Sequence, residues 1–361
     1  MLLITAFEPS FSTGGQMFTY HLIESLKDKY IIDLIYFTNE KKYLKIKYDV
    51  RQSTGVHVSK INKLVNWALC PYFHPIFSGR FSWRRLFMIK AMNRKEKYDI
   101  LFFDFSQTHL YSHYFKKSNT LVTCHDVLYQ KFKRENLLKR FQLRYIYSSE
   151  KELLKNNKIF TFSKKDTKII SKVYSLKSEY TSPFINSKIS EATVLEAIQK
   201  ENYFLFFGSW RRPENLDGLL WFLKEVNPYI QNIKILIIGT GLEKSMISNS
   251  KNIKYMGFVD NPYSVIMSCK ALLAPVFYGA GIKVKVFEAL ACGIPVVGTD
   301  IAFEGFGSDL KKFLYLSNSR EEFIKNIKTI YEYSNEFRDE ILKTFYAHYN
   351  VPKIVKYLYQ D

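Results

Sequence analysis

Tyr278-Gly-Ala-Gly-Ile-Lys-Val-Lys-Val-Phe-Glu-Ala-Leu-Ala-Cys-Gly-Ile-Pro-Val-Val-Gly-Thr-Asp-Ile-Ala-Phe-Glu-Gly305 is the stretch whose reading decides the fold. Ala274-Pro275 ends an apolar run just before it. Gly279-Ala280-Gly281 reads as a flexible loop that exposes backbone N–H groups. A helix is expected to start there, Gly293 ends it, and Ile294–Val297 opens the next strand. The order strand, glycine loop, helix, strand is that of a parallel α/β sheet. The start of a helix is electropositive and carries unpaired N–H donors, so the loop, with Ile282 after it, is an anion site suited to a diphosphate. Lys283 and Lys285 add positive charge beside it. Glu288, about two turns in, places a carboxylate where it can accept from sugar or ribose hydroxyls.

Working outward, the same grammar recurs. Tyr203–Phe207 is an apolar run closed by Gly208, Asn215–Val226 reads as a helix with Trp221 and Phe222 inward, and Lys234–Ile238 stops at Gly239-Thr240-Gly241. Tyr255–Phe258, Ala271–Pro275 and Pro295–Thr299 are further strands. The first half gives Met1–Ala6, Gly14-Gly15, a helix near Met17–Leu26, then Ile31–Phe37, Asp99–Asp104, Asn119–Cys124 and Lys158–Phe162. Two α/β units follow, doubly wound and Rossmann-like, facing each other across a cleft. Their expected limits are 1–188 and 200–340, joined through a connector at 184–201, with a helical tail over 341–361 that packs back on the first unit.

Composition narrows the partners. The chain has 361 residues, too many for one ordinary core, and a net charge of +19. Residues 1–190 carry +18 of this and residues 191–361 the remaining +1. Basic clusters lie at Lys41, Lys42, Lys45 and Lys47, at Arg80 through Lys97, and at Lys131 through Arg144. Aromatic residues interleave with them and no nucleic-acid-binding module is recognisable, which favours an anionic membrane surface over nucleic acid. The four cysteines are far apart, so neither a disulfide framework nor a zinc site is expected, and a reducing cytosol fits. Met1–Ala6 lacks a basic leader, and no apolar stretch is long enough to span a bilayer. Leu64 to Phe77, with Trp67, Tyr72 and Phe73, is apolar but short and broken by Pro71 and Pro75. The expected place is cytoplasmic, peripheral at the inner face of the plasma membrane.

Gly-Ala-Gly-Ile-Lys-x-Lys-x-x-Glu-Ala-x-Ala-x-Gly-x-Pro-Val-Val-x-Thr resembles the donor site of family 4 glycosyltransferases (glycosyl transferases group 1) of the GT-B fold. Gly208-Ser209, Asn215-x-Asp217-Gly218-x-x-Trp221-Phe222, Ile237-Ile238-Gly239-x-Gly241, Gly257-Phe258-Val259-Asp260 and Ala274-Pro275 follow in the family's order. Gly14-Gly15, Phe105-Ser106-Gln107, His125-Asp126-Val127 and Phe160-Thr161-Phe162-Ser163-x-x-Asp166 match in the first half. The resemblance implies a retaining, metal-independent transferase acting on a nucleotide-sugar donor, UDP, GDP or TDP in type, and on a glycan or lipid-linked glycan acceptor of bacterial surface polysaccharide synthesis. No separate cofactor is implied. Glu288 would hold the ribose, and Lys283 or Lys285 with the amides of Gly279, Ala280 and Gly281 the diphosphate, where negative charge grows in the transition state. Many relatives have a glutamate where this chain has Ala280.

Each residue also has a structural reading. His125, at the carboxyl end of a strand, is either a satisfied core histidine or a catalytic group touching the sugar or acceptor. Asp126 acts with it or caps a helix. Gly14 and Gly15 make a tight turn or approach phosphate, and Arg211 and Arg212 reach phosphate or solvent. Asn215 and Asp217 cap the helix that follows, Gly257 and Val259 approach the base through backbone atoms, and Gln107 belongs to the acceptor side. Three other functions compete: a nicotinamide oxidoreductase, a catalytically decayed GT-B nucleotide-binding protein, and a non-hydrolysing sugar-nucleotide epimerase. Against the oxidoreductase, Lys244 stands where the third glycine of GxGxxG belongs.

Overall fold

In the computed structural model the apolar runs become parallel strands. It describes residues 1–10, 14–38, 48–115, 120–134, 137–189, 201–247, 250–332, 337–349 and 351–360. The chain divides into two units, Met1–Phe184 with Val351–Asp361, and Ile185–Asn350. The basic cluster Lys41–Lys47 and most of the connector lie outside the described residues.

The first unit runs β1 (Leu2–Thr5), α1 (Gly14–Leu26), β2 (Asp33–Thr38), β3 (Gln52–His57), α2 (Lys60–Leu69), α3 (Pro75–Ser78), α4 (Trp83–Glu96), β4 (Leu101–Asp104), α5 (His109–Ser112), β5 (Thr120–Cys124), α6 (Leu128–Arg134), α7 (Leu137–Arg140), α8 (Leu143–Leu154), β6 (Lys158–Thr161), α9 (Lys164–Ile169) and β7 (Glu179–Tyr180). Its sheet has the order β3-β2-β1-β4-β5-β6-β7. Every pairing in it is parallel. β1, β4 and β5 are buried along their whole length. Helices on both faces of a parallel sheet leave no wet side, and this is why these strands read as unbroken apolar runs.

The second unit repeats the plan with β8 (Tyr203–Phe207), α10 (Pro213–Glu225), β9 (Lys234–Ile238), β10 (Ile253–Gly257), α11 (Tyr263–Ser268), β11 (Ala271–Ala274), α12 (Val284–Ala291), β12 (Val296–Gly298), β13 (Leu314–Leu316), α13 (Arg320–Glu332) and α14 (Arg338–His348). Its order is β10-β9-β8-β11-β12-β13. In each sheet the strand order reverses once, between β1 and β4 and between β8 and β11, and the carboxyl ends flanking that reversal are where such sheets bind ligands. Phe206, Trp210, Phe222 and Phe323 form the centre of the second core. Trp221, expected inward, is half-buried and rests on Phe277 and Phe323 with ring centroids 4.8 and 5.4 Å away.

The tail is two helices. α14 packs on α12, Phe345 against Phe287 at 4.9 Å. The last helix, α15 (Lys353–Gln360), belongs to the first unit: Ile354 N–H donates to Thr181 Oγ1 at 3.2 Å and the Tyr30 hydroxyl to the Leu358 carbonyl at 2.6 Å. Three strands escape the sequence reading, β3, β7 and β13, and all three are edge strands. An edge strand exposes one side, so it is short or polar and lacks the apolar signal. The four cysteines are buried and form no disulfide. Among the described residues no helix is long and apolar enough to cross a membrane.

Candidate functional site

β11 ends at Ala274, and the chain runs through Pro275 and the loop before α12 opens at Val284 with Lys283 as its N-cap. The helix therefore begins three residues beyond Gly281, and Glu288 lies one turn in, not two. Gly279 has φ +115° and Gly281 φ +71°, values that side chains other than glycine rarely adopt. A Cβ at Gly279 would meet nothing within 4 Å, so backbone angle rather than crowding selects glycine there. Ala280 and Ile282 are half-buried.

The two lysines behave differently. Lys283 Nζ folds back onto the loop and donates to the carbonyls of Ala280 and Gly281 at 3.2 and 2.9 Å. Lys285 Nζ donates to Asn215 Oδ1 at 2.8 Å, and Asn215 Nδ2 donates to the Ser209 carbonyl at 3.0 Å. That relay ties the first turn of α12 to α10 and to the loop after β8. Although the residue as a whole is half-buried, its ammonium is enclosed, and burial pushes it down to about 8, with Glu214 opposing. Asn215 and Asp217 do not cap α10. Arg212 is the N-cap without a side-chain bond and Pro213 occupies the first turn, where its fixed φ and missing N–H suit a helix start. The Asn215 amide is already committed, and Asp217 accepts from the Tyr278 hydroxyl at 2.6 Å.

Glu288 is only 6% exposed. Its Oε1 accepts from the Tyr263 hydroxyl at 2.7 Å. Burial pushes the carboxyl up to about 7, the tyrosine bond working the other way. Around this centre, Arg211 is exposed and Arg212 pairs with Glu214 at 2.8 Å. Gly208 accepts a close approach: a Cβ at Gly239 would sit 1.8 Å from its carbonyl oxygen. Gly257 ends β10 with φ +74° and Val259 is half-buried.

The first unit has its own cluster at the strand reversal. His125 Nε2 bonds Asp104 Oδ1 at 2.7 Å, and its ring stacks on Phe105 at 3.8 Å with 7° between planes. Asp104 is fully buried and also accepts from the hydroxyls of Thr5, Thr19 and Thr123. Burial alone would raise its carboxyl, but His125 and the threonine hydroxyls outweigh that and hold it below the ordinary range. With Nε2 committed to Asp104, Nδ1 is the ring nitrogen left to act. Phe105 holds φ +67°, a rare angle for an aromatic residue. Asp104 was not foreseen. Its signal was a charged residue closing the apolar strand Asp-Ile-Leu-Phe-Phe-Asp.

Two expectations here change. Gly14 and Gly15 open α1 and make no left-handed turn; glycine is demanded at 15 because a Cβ would lie 2.7 Å from the Phe105 ring and 3.2 Å from His125 Nδ1. Asp126 does not cap α6. It accepts from Lys131 Nζ at 3.5 Å, while the amides of Leu128 and Tyr129 go to the two oxygens of buried Glu150, each at 2.9 Å.

A family model described as glycosyl transferases group 1 matches residues 201–333. Those residues are similar to the group 1 glycosyl transferases. Every element of the Gly279–Glu288 site falls within the matched residues. A Klebsiella pneumoniae protein named as an uncharacterized 44.6 kDa protein in cps region is 29% identical over 137 residues, 34% of this chain and 35% of that one; the match spans about a third of the curated relative. Sucrose-phosphate synthase from Thermosynechococcus elongatus has a TM-score of 0.67 at 13% identity, covering 96% of this chain and 94% of that one. WaaG, a glycosyltransferase involved in lipopolysaccharide biosynthesis, gives 0.63 at 12%, covering 96% and 95%. Anabaena HepE in complex with UDP gives 0.61 at 13%, covering 96% and 93%. The fold is GT-B.

Proposed function

We propose that the protein is a retaining glycosyltransferase that moves a sugar from a nucleotide-diphosphate sugar to a glycan or lipid-linked glycan during synthesis of a bacterial surface polysaccharide. The observation that carries this is the Gly279–Gly281 loop opening onto α12, with enclosed Lys285 and Glu288 beside it, inside the matched group 1 residues. The loop and helix start supply N–H donors to a diphosphate. An anion there would favour the charged form of Lys285, which burial now disfavours. Glu288 Oε2 remains to accept a ribose hydroxyl while Tyr263 holds Oε1. The UDP complex of HepE, the role of WaaG and the cps location of the Klebsiella protein support donor and pathway.

In this reading transfer proceeds by front-face displacement without metal. The leaving diphosphate oxygen takes the acceptor proton, and the loop amides stabilise the charge that develops on it. His125 acts on the sugar or acceptor through Nδ1. A thermal-shift screen with UDP, GDP, TDP and CMP and their sugars tests the donor site, because a ligand bound only by the folded state raises the midpoint. One nucleoside diphosphate should do so. Glu288→Ala should weaken its binding about tenfold, the equivalent of one buried hydrogen bond. His125→Ala should slow turnover more than it weakens donor binding. Full activity in both variants sinks the assignment.

A further inference from the structure

A cavity of about 620 Å³ opens in the first unit, lined among others by Lys60, Lys63, Trp67, Ile76, Arg80 and Gln107. It adjoins the carboxyl edge of the sheet, since Gln107 follows β4. Arg80 is 9% exposed, and its Nε is buried with no hydrogen-bond partner. Among the described residues no carboxylate pairs with its guanidinium, whose one contact of note is the ring of Phe7 at 4.7 Å. Burial pulls the group down to about 10. Lys63 is also pushed down, first by burial and then by the charges of Arg80 and Lys60. From residue 59 to residue 95 the chain has eight lysines and arginines and no acidic residue. A buried cation without a counter-charge is strongly unfavourable, so Arg80 calls for an anion from outside the chain.

The rim of the cavity is apolar. Lys60, Lys63, Leu64 and Trp67 follow helical spacing and place one face of α2 on the cavity. Ile61, Leu64, Val65 and Leu69 are exposed on the same helix, whose sole buried residue is Asn66. Trp67 Nε1 donates to the Tyr145 hydroxyl at 3.3 Å, which sets α8 beside α2. Just ahead of α8, Leu137, Leu138 and Phe141 are exposed, Phe141 by 84%. An amphipathic helix flanked by basic residues and open on its apolar face is the form that settles at a bilayer interface.

We propose that this cavity seats the phosphate of a membrane-borne amphiphile, a lipid phosphate, with its apolar chain along α2 and the exposed residues beside α7. As the acceptor's seat it rests on the transferase reading; as a binding site it does not. The test is flotation of the full chain with phosphatidylcholine vesicles with and without a polyprenyl phosphate, at low and high salt, with inorganic phosphate and glucose 1-phosphate as soluble competitors. The wild type should bind the phosphate-bearing vesicles at least ~tenfold more tightly and keep part of that preference at high salt, because buried cations are poorly screened. The soluble phosphates should compete only weakly. Arg80→Met should remove the preference while melting at or above the wild-type temperature, because the lost charge had no partner. Ile61→Ser should weaken binding to both vesicles. Equal binding to both vesicles by the wild type, equally strong binding of inorganic phosphate, or an unchanged preference in Arg80→Met overturns the proposal. Should Arg80→Met not fold, Lys63→Met decides: unchanged lipid affinity overturns it, a several-fold loss supports it. Thermal shifts with UDP, GDP and TDP on the same samples keep the two readings apart. A wild type that binds lipid phosphate but no nucleoside diphosphate loses the transferase reading alone.

Discussion

At the scale of single residues, the first unit is organised around one buried charge. Asp104 has no exposed surface, yet stays ionised because three threonine hydroxyls and His125 converge on its two oxygens. The same carboxylate takes Nε2 of His125 and leaves Nδ1 toward Gly15, and Phe105 accepts an unfavourable backbone angle while its ring stacks on the imidazole. Asp104→Asn keeps the volume and removes the charge. We expect a loss of ~2 kcal/mol in stability, the scale of a buried charge-assisted hydrogen bond, together with a drop in kcat. Affinity for the nucleoside diphosphate should not move, since the donor loop belongs to the other unit. Chemical denaturation and steady-state kinetics on one preparation read all three; wild-type kcat in the variant would show that His125 does not depend on Asp104.

At the scale of elements, the Gly279–Gly281 loop is set by how closely α10 meets the end of β11. A Cβ on Gly218 would fall 1.8 Å from the Pro275 carbonyl oxygen. Alanine is the better helix former by about 1 kcal/mol, so propensity alone says Gly218→Ala stabilises. The contact says otherwise: the helix must shift, and overpacking of this kind costs about 1–3 kcal/mol or more. A fall in the urea midpoint and weaker binding of the nucleoside diphosphate that stabilises the wild type are expected, and a rise in the midpoint would refute the close contact. The contrast explains what the sequence could show. The loop, Gly293 and the strands of both sheet centres were legible, because glycines at positive φ and doubly buried strands leave strong local signals. Three of the four edge strands leave none; β10, the fourth, is read at Tyr255–Phe258. The helix start was placed three residues early because Lys283, not a glycine, is the N-cap. The uses of Asn215, Asp104 and Glu150 depend on partners 19 to 99 residues away, which spacing within a motif cannot reveal. Ascribing the caps of α6 and α10 to Asp126 and to Asn215 and Asp217 failed for that reason.

At the scale of the whole molecule, each unit hides one carboxyl that burial raises to about 7, Glu150 in the first and Glu288 in the second. An acid whose folded value lies above its unfolded one takes up protons on folding, so its contribution to stability falls as pH rises from about 4.5 to about 7. His109, buried and depressed to about 4, works in reverse. It stays neutral in the fold while the unfolded chain is protonated, so stability gains as pH rises from about 4 to about 6.5. Each effect spans about 2.5 pH units, or about 3 kcal/mol. The wild-type profile is therefore a contest of opposed terms, and its shape alone identifies no group. A difference does. Glu288→Gln removes one losing term and leaves His109 and Glu150 in place, so the variant minus the wild type should rise by about 2.5 kcal/mol between pH 5 and pH 8. Lys285 shares the site but titrates near 8, so its share enters only at the top of this range. Urea unfolding of both proteins at pH 5, 6, 7 and 8 measures the difference. A flat or falling curve would mean that Glu288 is ionised in the fold at neutral pH, and its enclosed carboxyl would then need a cation that Tyr263 does not supply.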